Sequence, residues 1–259
     1  MIKKITLPVF VLLITLFGLS ISNASEAAAA DTAKWYTHVY IDNGQLKVDW
    51  VVEIGHVTSN PQTWHVVKQS VTPLKCKTTG NLQVNQDHIF FDGQSGFKCE
   101  VPSFAEEVKK LSAGAINLEP TITTQSVLTE LDAELGFSRG VNSNPIFLIE
   151  RNLSMNIPHT KGKTNMFLHY PSGQTTSGAF FSSGRSQYNI EQQCNTSTCV
   201  FEHALGSSII QNDSAPFDIL LPTGETALYV GYAPNSRMFL SGQIYDLFVD
   251  PFARGPGSG

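Results

Sequence analysis

Between residues 35 and 54 the chain alternates apolar and polar positions with a period of two. Trp35-Tyr36-Thr37-His38-Val39-Tyr40-Ile41 runs into Asp42-Asn43-Gly44, after which Leu46, Val48, Trp50, Val52 and Ile54 alternate with Lys47, Asp49 and Glu53. Period two is the mark of half-buried strands, and Asn-Gly accepts the positive φ angles of a tight turn, so the pattern predicts a β-hairpin. On its second arm Trp50 shares a face with Leu46, Val48 and Val52 and is expected in the core. On its first arm Tyr36, His38 and Tyr40 form the stripe opposite Trp35, Val39 and Ile41.

Further strand-like runs, rich in β-branched and aromatic residues, fall at 64–71, 88–91, 97–101, 146–150, 164–170, 217–221, 226–232 and 243–249, with Gly, Pro, Asn and Ser between them. Many short strands separated by turns predict an all-β protein, an antiparallel β-sandwich of jelly-roll type. One short helix is expected near 103–112: Ser103 caps it, Glu106 completes a capping box, and Phe104, Val108 and Leu111 share a face before Gly114. The segment from Val127 to Phe137 fits either period. Leu128, Leu131 and Leu135 suit a helix, whereas Val127, Leu131, Ala133, Leu135 and Phe137 alternate with Glu130, Asp132 and Glu134; the strand is the reading adopted.

The first 24 residues read as a cleavable secretory signal: Lys3 and Lys4, an apolar run from Ile5 to Ile21, and small residues at Ser22-Asn23-Ala24. The Ala27–Ala30 run offers alternative cleavage sites, and an uncleaved anchor is the competing reading. The apolar run, of about 17 residues, is at the lower edge of a spanning length and contains Pro8 and Gly18. The expected organisation is a signal at 1–24, a leader at 25–34, a β-sandwich domain at 35–250 and a mobile tail at 251–259. The expected location is extracellular or periplasmic, with no membrane contact after cleavage.

In that setting the four cysteines predict two disulfides, and pairing neighbours gives Cys76–Cys99 across a β-meander and Cys194–Cys199 across a six-residue loop. A four-cysteine zinc site is the alternative, and it lacks a second close Cys pair. The sequons at Asn152, Asn195 and Asn212 are no more than chance supplies. The net charge of −5 becomes about −7 once the two signal lysines are removed, and the longest basic cluster is Lys109-Lys110. Nucleic acid is therefore not an expected partner.

Two segments resemble a known family. Phe91-Asp92-Gly93-Gln94-Ser95-Gly96-Phe97-Lys98-Cys99-Glu100-Val101-Pro102 is similar to the opening strands of laminin-G-like and other concanavalin-A-like jelly rolls. Leu228-Tyr229-Val230-Gly231 followed by Phe239-Leu240-Ser241-Gly242-Gln243-Ile244-Tyr245-Asp246-Leu247-Phe248-Val249 resembles that family's closing hairpin. The resemblance implies a two-sheet jelly roll that binds glycans or proteins, in some members with calcium in loops at one rim. This chain lacks the family's W-H-H-V type strand and inserts a helix after Val101, so no ligand residue carries over.

Catalytic chemistry finds little purchase. There is no G-x-S-x-G elbow, Gly93-Gln94-Ser95-Gly96 does not match one, and the seven histidines stand isolated in the sequence with no H-E-x-x-H pair. Glu53, Glu100, Glu150, Asp218 and Asp246 are carboxylates in or beside strands, and spacing does not choose an acid–base pair among them. Asp42, Asp87 and Asp92 sit in turns where they would either coordinate calcium or cap the turn. Leu221-Pro222-Thr223-Gly224 reads as a turn. Trp35, Tyr36, Tyr40, Trp64 and Tyr232 are candidate sugar-stacking rings, with core packing the alternative for each. Export, the β architecture and the missing catalytic motifs together predict a non-catalytic binding module for a glycan or an extracellular protein, with no cofactor expected and calcium as the alternative. The alternatives are a self-associating subunit of a surface layer or fibre, for which 15% charged residues and exposed strand edges are suited, and a glycan-cleaving enzyme on the same fold.

Overall fold

The computed structural model describes residues 31–58, 63–113, 125–136, 143–149, 153–160, 163–169, 175–180, 184–194, 199–205, 208–214, 226–234 and 238–250. The expected signal, the tail, the run at 217–221 and the Leu221–Gly224 turn lie outside these residues. The hairpin forms as the alternation requires: β1 (Thr32–Asp42) pairs with β2 (Gln45–Val57) from Thr32↔Gly55 to Asp42↔Gln45. Asn43 and Gly44 turn it with φ of 51° and 73°. Beyond it lie β3 (Trp64–Pro73), β4 (Cys76–Thr79), β5 (Gln83–Val84), β6 (Ile89–Asp92) and β7 (Gly96–Val101). Then come helix α1 (Phe104–Leu111), β8 (Gln125–Leu135), β9 (Ser143–Ile149), β10 (Leu153–Thr160), β11 (Lys163–His169) and β12 (Thr175–Phe180). The remaining strands are β13 (Arg185–Cys194), β14 (Cys199–Leu205), β15 (Ser208–Ser214), β16 (Thr226–Val230), β17 (Tyr232–Ala233), β18 (Met238–Phe239) and β19 (Ser241–Asp250).

These make an all-β antiparallel sandwich with one short helix. The long sheet runs β15-β14-β13-β8-β19-β1-β2-β3, and β6, carrying β5, pairs with the first half of β19. The second sheet runs β12-β11-β10-β9-β16-β7-β4. Between the sheets lie Trp35, Val39, Val48, Trp50, Val52, Leu131, Ile244, Leu247 and Val249 from one side and Phe97, Cys99, Ile146, Phe147, Ile149, Leu228 and Val230 from the other. The segment from 127 is a strand, β8. Helix propensity there yields to the pairing of Leu131 with Leu247 on one flank and Tyr188 on the other, which buries its alternate residues.

Helix α1 begins where expected, the Ser103 hydroxyl accepting from the Glu106 N–H, and it buries Phe104. It lies against β2 and β3 at the edge of the long sheet, where Lys68 Nζ donates to the Leu111 carbonyl at 2.9 Å and Ser70 Oγ to Glu107 Oε1 at 2.7 Å.

Cys76 and Cys99 are bonded, with Cα atoms 4.1 Å apart, directly opposite one another on β4 and β7. The meander expected between them is corrected: β5 and β6 leave that sheet to join the long one, so the bond closes an excursion between sheets. Cys194 faces Cys199 at the last register position of β13 and β14.

Candidate functional site

Pleating sends the even-numbered residues of β1 and the odd-numbered residues of β2 to the outside of the long sheet. Register assembles them into rows: Lys34 beside Glu53 beside Gln69, Tyr36 beside Val51 beside Val71, and His38 between Asp49 and Phe248. At the centre is an ion cluster that an outward face does not ordinarily bury. Glu53 and Asp250 are 5% and 3% exposed, and Lys34 Nζ reaches both, at 3.6 Å and 2.8 Å. Glu53 also accepts from Trp64 Nε1 at 2.8 Å and from Gln69 Nε2 at 2.9 Å, so its two oxygens are satisfied. Buried ions persist only when paired and hydrogen-bonded in this way.

The cluster orients aromatic rings. The Lys34 ammonium lies 5.2 Å from the Trp64 ring and 5.7 Å from the Tyr36 ring, cation–π contacts that hold both on the sheet. Trp64 can lie so close because residue 55 is glycine: a Cβ there would meet the Trp64 ring at 3.0 Å and the His65 carbonyl oxygen at 2.2 Å. A bulge in the β2–β3 pairing at Ile54/Gly55 brings Trp64 over that glycine. Tyr36 packs on Phe248 with centroids 5.1 Å apart, and burial, followed by the charges of Glu53 and Asp250, raises its phenol above the ordinary pKa. Farther along β1, Tyr40 stacks on His38 at 4.5 Å and donates to Asp49 at 3.0 Å, the main cause of its own raised pKa. His38 in turn bonds Asp246 at 2.8 Å.

Three of the rings expected to contact a ligand, Tyr36, Tyr40 and Trp64, therefore share one solvent-side face. Tyr232 stands apart from them. It belongs to β17, stacked on Phe239 at 5.6 Å, edge-on to Tyr229 and seated against Gly96, where a Cβ would meet its ring at 2.5 Å. Trp35 is in the core at 3% exposure. Phe248 was missed by the sequence reading, although its place in the 243–249 alternation put it opposite Leu247 and hence outward.

The turn aspartates have turn work. Asp92 Oδ1 accepts from the Gln94 N–H at 2.9 Å, and that bond, with Ser95 next, lowers its pKa. Asp87 bonds His88 at 2.7 Å, and Asp42 accepts from Asn43 at 2.8 Å. Among the described residues no group of three or more His, Cys, Asp or Glu converges on an ion position. Of the carboxylates weighed for acid–base work, Glu53 is held by Lys34, Trp64 and Gln69, Glu100 is exposed beside Lys77, and Asp246 is bound to His38. Glu150 and Asp218 lie outside the described residues. Two histidines that stand isolated in the sequence do meet: His56 and His65 face each other across β2 and β3.

No protein-family model matches the chain, and no curated protein matches it. Among solved structures it is similar to the binding domain of botulinum neurotoxin DC in complex with SialylT, with a TM-score of 0.47 and 9% identity over 85% of this chain and 48% of that one. The botulinum neurotoxin serotype D ligand binding domain in complex with N-acetylneuraminic acid gives a TM-score of 0.46 at 9% identity over the same shares. The serotype D binding domain gives 0.45 at 11% over 86% and 49%. This chain thus spans about half the length of the solved structures it matches, and no residue role is carried over from them. Among the described residues no helix is long and apolar enough to cross a membrane.

Proposed function

We propose that this chain is an extracellular, non-catalytic binding module that holds a glycan on the outer face of the long sheet, with Tyr36, Tyr40 and Trp64 as the ring platform. The observation that carries the reading is that these half-buried rings are fixed by charges and hydrogen bonds on the face the core does not use. A pyranose presents an apolar face to such rings, and its hydroxyls would find Gln69, Asp49 and His38 beside them. The laminin-G-like or concanavalin-A-like reading gains support from the pairing of its two resembling segments, since Ser241 to Ile244 lie against Asp92 to Ile89. The Cys76–Cys99 bond suits an oxidising compartment.

A glycan array and polysaccharide pull-down test it. The expected result is binding that falls at least about tenfold in Trp64→Ala and in Tyr40→Ala, the equivalent of about 1.4 kcal/mol for a lost ring contact. No retained glycan removes the carbohydrate version, and full binding by both variants moves the site elsewhere. Repeating the assay with EDTA decides on calcium.

A second reading, self-association into a layer or fibre, is favoured by β3. It ends the long sheet and exposes Val66, Val67 and Val71 at 40%, 44% and 53%. The bulge and Pro73 oppose pairing along that edge. Light scattering at high concentration separates the two, a strictly monomeric protein removing the second.

A further inference from the structure

At the far end of the same hairpin, Asp31, the residue before β1, lies beside His56 of β2, which faces His65 of β3, on the side opposite Trp64. His56 is directly opposite His65 in the ladder, and their rings stack with centroids 5.1 Å apart and planes 23° from parallel. Asp31 Oδ1 lies 2.9 Å from His56 Nδ1. An ionised carboxylate accepts only, so this contact places the proton of a neutral His56 on Nδ1 and leaves the Nε2 lone pair free. The pair is open to solvent: the His56 side chain is 30% exposed, and His65 is more so.

The other histidines with described side chains are differently placed. His88 has both nitrogens engaged, Nδ1 by Asp87 at 2.7 Å and Nε2 by Asn85 at 2.8 Å. His38 has Nε2 on Asp246.

We infer that His56 and His65 form a bidentate site for a first-row transition-metal ion of the Zn(II) or Cu(II) kind. Imidazole suits these ions, and zinc sits about 2.0–2.1 Å from each ligating nitrogen. Two such bonds need nitrogens roughly 3–4 Å apart with both in-plane lone pairs aimed at the ion, so the exposed His65 ring turns out of the stacked position to ligate. Asp31 fills the outer role that carboxylates take behind metal-binding histidines, fixing the tautomer and the ring orientation. With no third ligating side chain converging among the described residues, the other coordination positions fall to water, which makes this an open, exchangeable site. The ion would clasp β2 to β3 at the residue after Trp64, bracing the bulged end of the proposed ring platform. The assignment does not depend on the glycan reading.

The test is zinc titration of the tag-free full chain by calorimetry, with Cu(II) paramagnetic resonance to count coordinating nitrogens. One ion per chain is expected, with hyperfine structure from two imidazoles. His65→Ala should weaken binding at least about tenfold, and Asp31→Asn about tenfold, in line with losses of outer-shell partners. His88→Ala should leave it unchanged. Unchanged affinity in His65→Ala, or a copper signal from one nitrogen in the native chain, overturns the site. Since His65 is exposed, its alanine variant is expected to fold, and circular dichroism on the same sample confirms that a lost signal reports ligation.

Discussion

The two faces of the β1–β2 hairpin are built from alternate residues of one stretch of sequence, and they are stabilised by opposite means. The inner face is apolar. Trp35, Val39, Val48, Trp50 and Val52 are at most 4% exposed, and fully burying a large apolar side chain stabilises by about 1.5–3 kcal/mol. Polar atoms on the core side are poorly served: Trp50 Nε1 of the hairpin and Thr129 Oγ1 of β8 are buried with no hydrogen-bond partner among the described residues. The outer face is charged, and there the buried groups are satisfied, Glu53 by Lys34, Trp64 and Gln69. Packing without directional bonds tolerates an orphaned indole N–H, whereas buried charge does not tolerate an orphan. One face therefore supplies bulk stability, and the other holds specific side chains in specific orientations.

The strongest way to break this contrast is to remove the ammonium from the outer face. Lys34→Met keeps the length of the side chain and removes the ammonium that contacts buried Glu53 and Asp250. The expected cost is about 3–5 kcal/mol, the usual consequence of breaking a buried ion pair from one side and far above that of an ordinary surface change. Urea denaturation of the variant measures it. A loss below about 1 kcal/mol, within the range of exposed ion pairs, would show that the outer cluster behaves as a solvated surface.

Alternation made the inner face legible in advance, because burial at positions 35, 39, 48, 50 and 52 follows from period two and the Asn43-Gly44 turn alone. It also set Tyr36, His38 and Tyr40 on the stripe opposite Trp35, Val39 and Ile41. The ion cluster was not legible, since Lys34, Glu53, Gln69 and Asp250 come from four strands and their meeting is set by register. The bulge at Ile54/Gly55, which brings Trp64 over Gly55, leaves no mark beyond a lone glycine in a strand. His56 and His65 were overlooked for a related reason. Nine residues apart they match no ligand motif, yet the β2–β3 register sets them face to face. The Cys76–Cys99 bond was read correctly from neighbour pairing, but the crossing of β5 and β6 to the other sheet depends on partners near residue 242.

That disulfide sharpens the comparison from the core side, because Cys99 is fully buried among the inner-face residues. Closing a loop of about 24 residues restricts the unfolded chain by roughly 3 kcal/mol. Cys99→Ser should lower the melting temperature well beyond Cys194→Ser, whose predicted partner Cys199 closes only a short hairpin loop. Scanning calorimetry of the two variants compares them, and non-reducing peptide mapping tests the second bond: a Cys99–Cys194 linkage would contradict the ladder, which sets Cys194 opposite Cys199.

The smallest expected effect lies where the two modes of stabilisation meet, under β3, whose inner side is covered by helix α1. Glu107 accepts from Ser70 at 2.7 Å and from Lys110 at 3.0 Å, and these bonds, Ser70 first, hold its carboxyl below the ordinary pKa. A carboxylate with a depressed folded-state pKa contributes stability that is fully present above its unfolded value of about 4.3 and is lost as pH falls through the folded value. Glu107→Gln should therefore cost about 1 kcal/mol at pH 7, the net worth of a hydrogen bond to a charged acceptor in a partly screened setting. The deficit should shrink towards zero as the pH is lowered from 5 to 3, because the native carboxyl becomes protonated and resembles the amide. Chemical denaturation of both proteins across that range gives the answer. A deficit that stays constant with pH would assign the effect to packing of the helix on β3, and one that grows on acidification would mean that the Ser70 hydroxyl prefers the neutral group.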